Sequence, residues 1–140
     1  MSAIPIERVD DPSIGRMLGE RIDAHNLAST GISEWHSLTF VVRDGDGQVA
    51  AGVDGWEWGG TCFVKSLWVR EGRRGSGLGT ALMMEMEAEA RRLGCTQIVL
   101  ETHSFQAPAF YQRLGFASAG AVAGYPRGEA FLLMVKRLAD

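Results

Sequence analysis

The sequence predicts an α+β fold: a mixed, mainly antiparallel sheet flanked by helices. Three observations carry this expectation. In the first half, strand-like runs alternate with the Gly-rich turns Asp44-Gly45-Asp46-Gly47 and Gly59-Gly60, the pattern of an antiparallel meander. In the middle, the run Thr61–Val69 leads through a Gly-rich loop and a long amphipathic stretch to a second run, Gln97–Glu101. A strand–helix–strand connection of that length brings its two strands together in parallel. In the tail, Phe116–Ala121 and Ala130–Leu138 read as two closing strands.

Each element has its own signal. Asp11-Pro12-Ser13 is a helix start, and Ile14, Met17, Leu18, Ile22 and Leu27 follow at helical spacing. Leu38–Arg43 and Gln48–Val53 are the two arms of the first hairpin, and Trp56-Glu57-Trp58 leads into the second turn. Leu78, Leu82, Met86, Ala90 and Leu93 form the apolar stripe of the long helix, with Ala81 alongside. Glu87 and Arg91 pair at i,i+4, Arg91 and Arg92 suit the C-terminal dipole, and Gly94 ends the helix. Pro108 suits the first position of a shorter helix that runs to Leu114 and stops at Gly115.

Composition narrows the function classes. The 140 residues match the usual size of one domain, and neither a linker nor a repeat divides them, so a single domain over 1–140 is expected. Fourteen basic against 17 acidic residues give a net charge of −3, which provides no general attraction to nucleic acid or to an anionic membrane. The longest uninterrupted apolar run, Ala130–Val135, is far short of the roughly 18 residues needed to span a bilayer. The N-terminal stretch carries acids where a signal peptide would carry a basic segment, so a cytoplasmic protein is expected. Cys62 and Cys95 lie apart in apolar surroundings and read as reduced buried thiols. His25, His36 and His103 share no ligand spacing, so no metal is assigned. Glycine stands out at 18 residues, close to twice the usual share of roughly 7%.

That excess concentrates where the chemistry is expected. Glu71-Gly72-Arg73-Arg74-Gly75-Ser76-Gly77-Leu78-Gly79-Thr80 is a basic, Gly-rich loop between a strand and a helix. Such a loop gathers backbone N–H groups and the positive helix end around one point, an anion site. Gly72 and Gly77 have the Walker A interval, but Leu78-Gly79 stand where Lys-Ser/Thr is required. Gly75, Gly77 and Gly79 follow a meander and have the wrong spacing for a dinucleotide fingerprint. Arg74-Gly75-Ser76-Gly77-Leu78-Gly79 does match Arg/Gln-x-x-Gly-x-Gly/Ala. One strand downstream, Ser104-Phe105-Gln106-Ala107-Pro108-Ala109-Phe110-Tyr111-Gln112-Arg113-Leu114-Gly115-Phe116 matches Asn-x-x-Ala-x-x-x-Tyr-x-x-x-Gly-Phe, with Ser104 in place of Asn. With these two segments the chain resembles the GNAT (acyl-CoA N-acyltransferase) family of N-acetyltransferases.

The resemblance implies a GNAT-like sheet whose central parallel strands splay apart, and an acetyl-CoA-dependent transfer of an acetyl group to a primary amine by direct attack. It makes acetyl-CoA the acyl donor, with Arg74, Gly75, Gly77, Gly79 and Thr80 around its pyrophosphate and Ser104 as a further contact. The backbone of Leu67 and Val69 would pair with the pantetheine arm, and a bulged-strand N–H would polarise the acetyl carbonyl. Tyr111 corresponds to the family's tyrosine and is the candidate general acid; Glu101, at the end of its strand, is the candidate base acting through water. Arg73 is either a second phosphate contact or a solvated loop residue, and His103 either a proton relay or polar surface. Trp56 and Glu57 read as packing or as the wall of an amine cleft, and Tyr125 and Arg127 as overhanging the acceptor or as plain surface. Four tryptophans in a short chain are compatible with a homodimer, whereas the class of acceptor, small molecule or peptide, is not decided by these residues. Two other readings remain: a non-catalytic acyl-CoA-binding module, which Tyr111 disfavours, and a phosphate binder, which the missing Walker lysine disfavours.

Overall fold

A computed structural model describes residues 4–138, in two units, one ending at Ser33 and a larger one from Glu34 onward. The first unit holds helix α1 (Pro12–Thr30). Asp11 caps it by accepting from the Ser13 backbone N–H at 2.9 Å, and this bond holds the Asp11 carboxyl below the ordinary range. Gly31, at φ +70°, closes the helix by donating its N–H to the Leu27 carbonyl.

The second unit is one sheet of six strands: β1 (Trp35–Arg43), β2 (Val49–Trp58), β3 (Thr61–Val69), β4 (Gln97–His103), β5 (Ala117–Ala123) and β6 (Ala130–Arg137). Their order across the sheet is β1-β2-β3-β4-β6-β5, and every pairing is antiparallel except β3 with β4. Strand β2 is longer than its hairpin signal suggested, because Trp56-Glu57-Trp58 continues the ladder instead of leaving it. The tail does not close in chain order: β6 inserts between β4 and β5. Side-chain content accounts for this. Phe131, Leu132, Leu133, Met134 and Val135 can fill an interior strand, whereas β5 is mostly Ala, Ser and Gly and lies exposed along its whole length at the edge.

Helix α2 (Leu78–Arg92) covers β1, β2 and β3. Its Leu82, Met83, Met86 and Ala90 join Val53, Cys62, Val64, Ile98, Leu100 and Met134 in the core. Glu87 of α2 accepts from Lys136 of β6 and from Arg91. Burial works to raise its carboxyl pKa, but the hydrogen bonds from Lys136 and Arg91 outweigh it and hold the group below its ordinary value. Helix α3 (Pro108–Arg113) is short, and its Tyr111 ring meets those of Phe110 and Phe116 edge-on. Among the described residues no helix is long and apolar enough to cross a membrane.

Candidate active site

The parallel ladder between β3 and β4 is only four residues long. It runs from Thr61 facing Gln97 to Val64 facing Leu100, and then stops. The cause lies on β2. There Gly55 faces Val64 and Asp54 faces Ser66, so Lys65 is an extra residue without a partner, a β-bulge. The bulge turns β3 away from β4 and opens a gap between Lys65–Leu67 on one side and Glu101–Thr102 on the other. Gly55 is what admits it: a Cβ there would lie 2.2 Å from the Phe63 carbonyl oxygen, inside any permitted contact.

A cavity of about 680 Å³ runs from this gap to the start of α2. At the α2 end it is lined by Arg73, Arg74, Gly75, Gly77, Leu78, Gly79 and Thr80. No side chain caps α2; the N-cap is Gly77 at φ +85°, and the first intrahelical donor is the Ala81 N–H, to the Gly77 carbonyl. The N–H groups of Leu78, Gly79 and Thr80 are therefore the unsatisfied donors of the helix start, an anion-binding arrangement. The glycines differ in why they are glycines. Gly75 and Gly77 have open space around an added Cβ but left-handed backbone. At Gly79 a Cβ would press on the Phe110 ring at 3.3 Å, so this residue lets α2 approach α3. Arg74 donates Nε–H to the Val69 carbonyl at 3.1 Å, which holds its side chain along the rim.

At the other end Glu101, Thr102, Gln106 and Tyr111 line the cavity. Gln106 is fixed in place, since its Oε1 accepts from the His103 backbone N–H at 2.8 Å and from Thr102 Oγ1 at 3.2 Å. Tyr111 is partly buried, and burial pushes its phenol above the ordinary value of about 10. Of the residues singled out in the sequence, Leu67, Val69, Arg74, Gly75, Gly77, Gly79, Thr80, Glu101 and Tyr111 all line this one cavity.

Ser104 lies outside the lining. Its Oγ donates to Glu129 and accepts from the Ala130 N–H at 2.9 Å, so it fastens the start of β6 to the end of β4. Glu57 also lies outside this lining. It is buried, with Oε2 2.8 Å from His36 Nδ1 and Oε1 accepting from the Gly60 N–H. Trp56 is stacked between Trp35 and Phe63. His103 packs among Phe105, Tyr125 and Phe131, and its Nδ1 lies 3.0 Å from the Tyr125 carbonyl. A carbonyl only accepts, so this nitrogen carries the proton. Sequence reasoning missed Gly55, Lys65, Ser66, Gln106 and Phe110. The available signal was Lys65-Ser66, two successive polar residues that interrupt the apolar runs on either side; in the structure the alternation of burial along β3 breaks at this pair.

A short parallel pair that parts at a bulge, with an uncapped Gly-rich helix start at the far end of the opening, defines an acyltransferase architecture. The chain belongs to the acetyltransferase (GNAT) family, whose model matches residues 10–116, and it is an N-acetyltransferase. It is 44% identical over 96 residues to the blasticidin-S acetyltransferase of Streptomyces morookaense, covering 66% of this chain and 68% of that one. It is 30% identical to an acetyltransferase of Agrobacterium fabrum, over 92% of this chain and 94% of the relative. Among solved structures, an acetyltransferase from Bacillus cereus superposes with a TM-score of 0.82 at 29% identity, over 96% of this chain and 98% of the other.

Proposed function

We propose that the chain, acting as one domain over residues 1–140, moves the acetyl group of acetyl-CoA onto the primary amine of a small-molecule acceptor by direct attack. The observation that carries this reading is the single cavity joining the α2 start to the gap between β3 and β4. In it the pyrophosphate lies against the N–H groups of Leu78, Gly79 and Thr80 with Arg74 beside it. The pantetheine arm follows Leu67 and Val69 toward the gap, and the acetyl group reaches the bulge. A backbone N–H of the Lys65–Leu67 stretch, which faces no β4 partner, donates to the carbonyl oxygen as negative charge develops there.

Glu101, through a water, takes the proton that the incoming ammonium must lose before its nitrogen can attack. The C–N bond forms, the C–S bond breaks, the Tyr111 phenol protonates the departing thiolate, and the proton that the acetylated nitrogen sheds on becoming an amide restores the phenol. Burial keeps the phenol in its protonated form to a higher pH than a free tyrosine. The relative named for blasticidin S supports a small-molecule acceptor over a peptide, and amine-bearing antibiotics are the first acceptors to test. Two buried free thiols are in keeping with the reducing cytoplasm as the place of action.

The test is a calorimetric titration with acetyl-CoA followed by release of free CoA across a panel of amines. Binding to the wild type, its loss in Gly77→Asp with an unchanged circular dichroism spectrum, and turnover with at least one amine are expected. Absence of binding overturns the reading. Binding without transfer to any amine replaces it with a non-catalytic acyl-CoA module.

A further inference from the structure

Arg73, in the lining of the anion-binding end of the cavity, is held by a residue from another part of the chain. Asp44, in the β1–β2 hairpin, is held by that turn: its N–H donates to the Gln48 carbonyl at 2.8 Å and its carbonyl accepts from Gly47 at 2.9 Å. Its side chain is only 18% exposed and leaves the hairpin to meet two guanidinium groups. One carboxylate oxygen takes Arg70 Nη2 and the other takes Arg73 Nη1. Arg70 extends the β2–β3 ladder by donating to the Ala50 carbonyl, and Arg73 donates its own N–H back to the Arg70 carbonyl. The segment leading from β3 into the Gly-rich loop is thus wound into one turn whose two outward charges share one carboxylate.

We propose that Asp44 is a positioning residue for the acyl donor: it orders the Arg70–Ser76 segment before binding and fixes Arg73 at the cavity rim. This rests on the reading of the cavity as an acyl-CoA site. Arg70, Arg73 and Arg74 lie within five residues, and without a counter-charge they repel one another and loosen the segment. Ordering the segment would then be a cost of binding, and a site ordered in advance avoids it. The sign of the effect is diagnostic, since simple charge counting says the opposite. Removing an acid beside a phosphate site should tighten binding if long-range attraction decides, and weaken it if the order of the loop decides.

The experiment measures the Kd of acetyl-CoA and of S-acetylpantetheine, which lacks the pyrophosphate, for wild type, Asp44→Asn, Asp44→Ala and Asp44→Glu. The Asn variant preserves the shape of the side chain and guards against a folding defect in the Ala variant. Both are expected to weaken acetyl-CoA by roughly tenfold, with S-acetylpantetheine unchanged within twofold and Asp44→Glu recovering most of the loss. Unchanged or tighter acetyl-CoA binding in the Asn variant overturns the inference, as does an equal loss for both ligands. A wild type that binds no acetyl-CoA overturns the cavity reading itself, and this inference with it.

Discussion

Val64 and Leu100 are the last facing pair of the parallel ladder, and the next residue of β3, Lys65, faces nothing on β2. The opening of the sheet is therefore set across two pairings at once. The bulge against β2 takes one residue out of register, and β3 cannot then continue beside β4.

Gly55 is the residue on which that bulge depends. Gly55→Ala forces a methyl group against the Phe63 carbonyl, and backbone must shift to relieve it. A loss of about 1–3 kcal/mol in unfolding free energy is expected from urea titration, with weakened acetyl-CoA binding. Gly45→Ala, where an added Cβ meets nothing and the backbone is unstrained, should stay within about 0.5 kcal/mol of wild type. Equal stability of the two variants would show that the bulge does not need Gly55.

For Tyr111, the phenylalanine variant keeps the ring that packs on Phe110 and Phe116 and removes the donor. The Kd of acetyl-CoA is expected to change less than about threefold while kcat falls by roughly 10²–10⁴. Because burial raises the phenol pKa, wild-type kcat should show no decline from loss of this proton until the pH exceeds about 10. Undiminished transfer by Tyr111→Phe would make solvent the proton source.

At Glu101 the pH dependence is the informative readout. A base that deprotonates the incoming ammonium matters most where little neutral amine exists, so Glu101→Gln should depress kcat/KM mainly on the acid side. If its profile overlays that of wild type, the carboxylate has no part in the proton's path.

Cys62 provides a test of the core. Burial first, then the neighbouring Cys95 and Glu57, push its thiol up to about 12. Alkylation by iodoacetamide at pH 7.5 is expected to be at least about 10³-fold slower than for a free thiol, and to become fast in urea. A thiol whose folded pKa is raised contributes its full stabilisation below the unfolded value near 9. That contribution is lost as the pH climbs from about 9 toward 12, so the melting temperature should fall over this window. Rapid labelling of the native protein would contradict the packing described for β3.

Local chemistry decided much of this molecule in advance. Helix α1 begins where Asp11-Pro12-Ser13 says it should, β3 spans Thr61–Val69, and α2 starts at Leu78, because caps, turns and apolar periodicity act over a few residues. The Gly-rich loop was legible as an anion site from its own residues, and the Tyr111 segment through its resemblance to a family motif; both line one cavity. Tertiary structure alone decided that β6 lies between β4 and β5, since strand order depends on which strand can bury both faces. It took Ser104 out of the cavity lining, and it brought Asp44 to Arg70 and Arg73, partners more than 20 residues away in the chain. It also made Gly55 indispensable, because the atom that forbids a side chain there belongs to the neighbouring strand. Spacing along a sequence carries what a residue does to its own segment; what it meets across a sheet exists only once the sheet has formed.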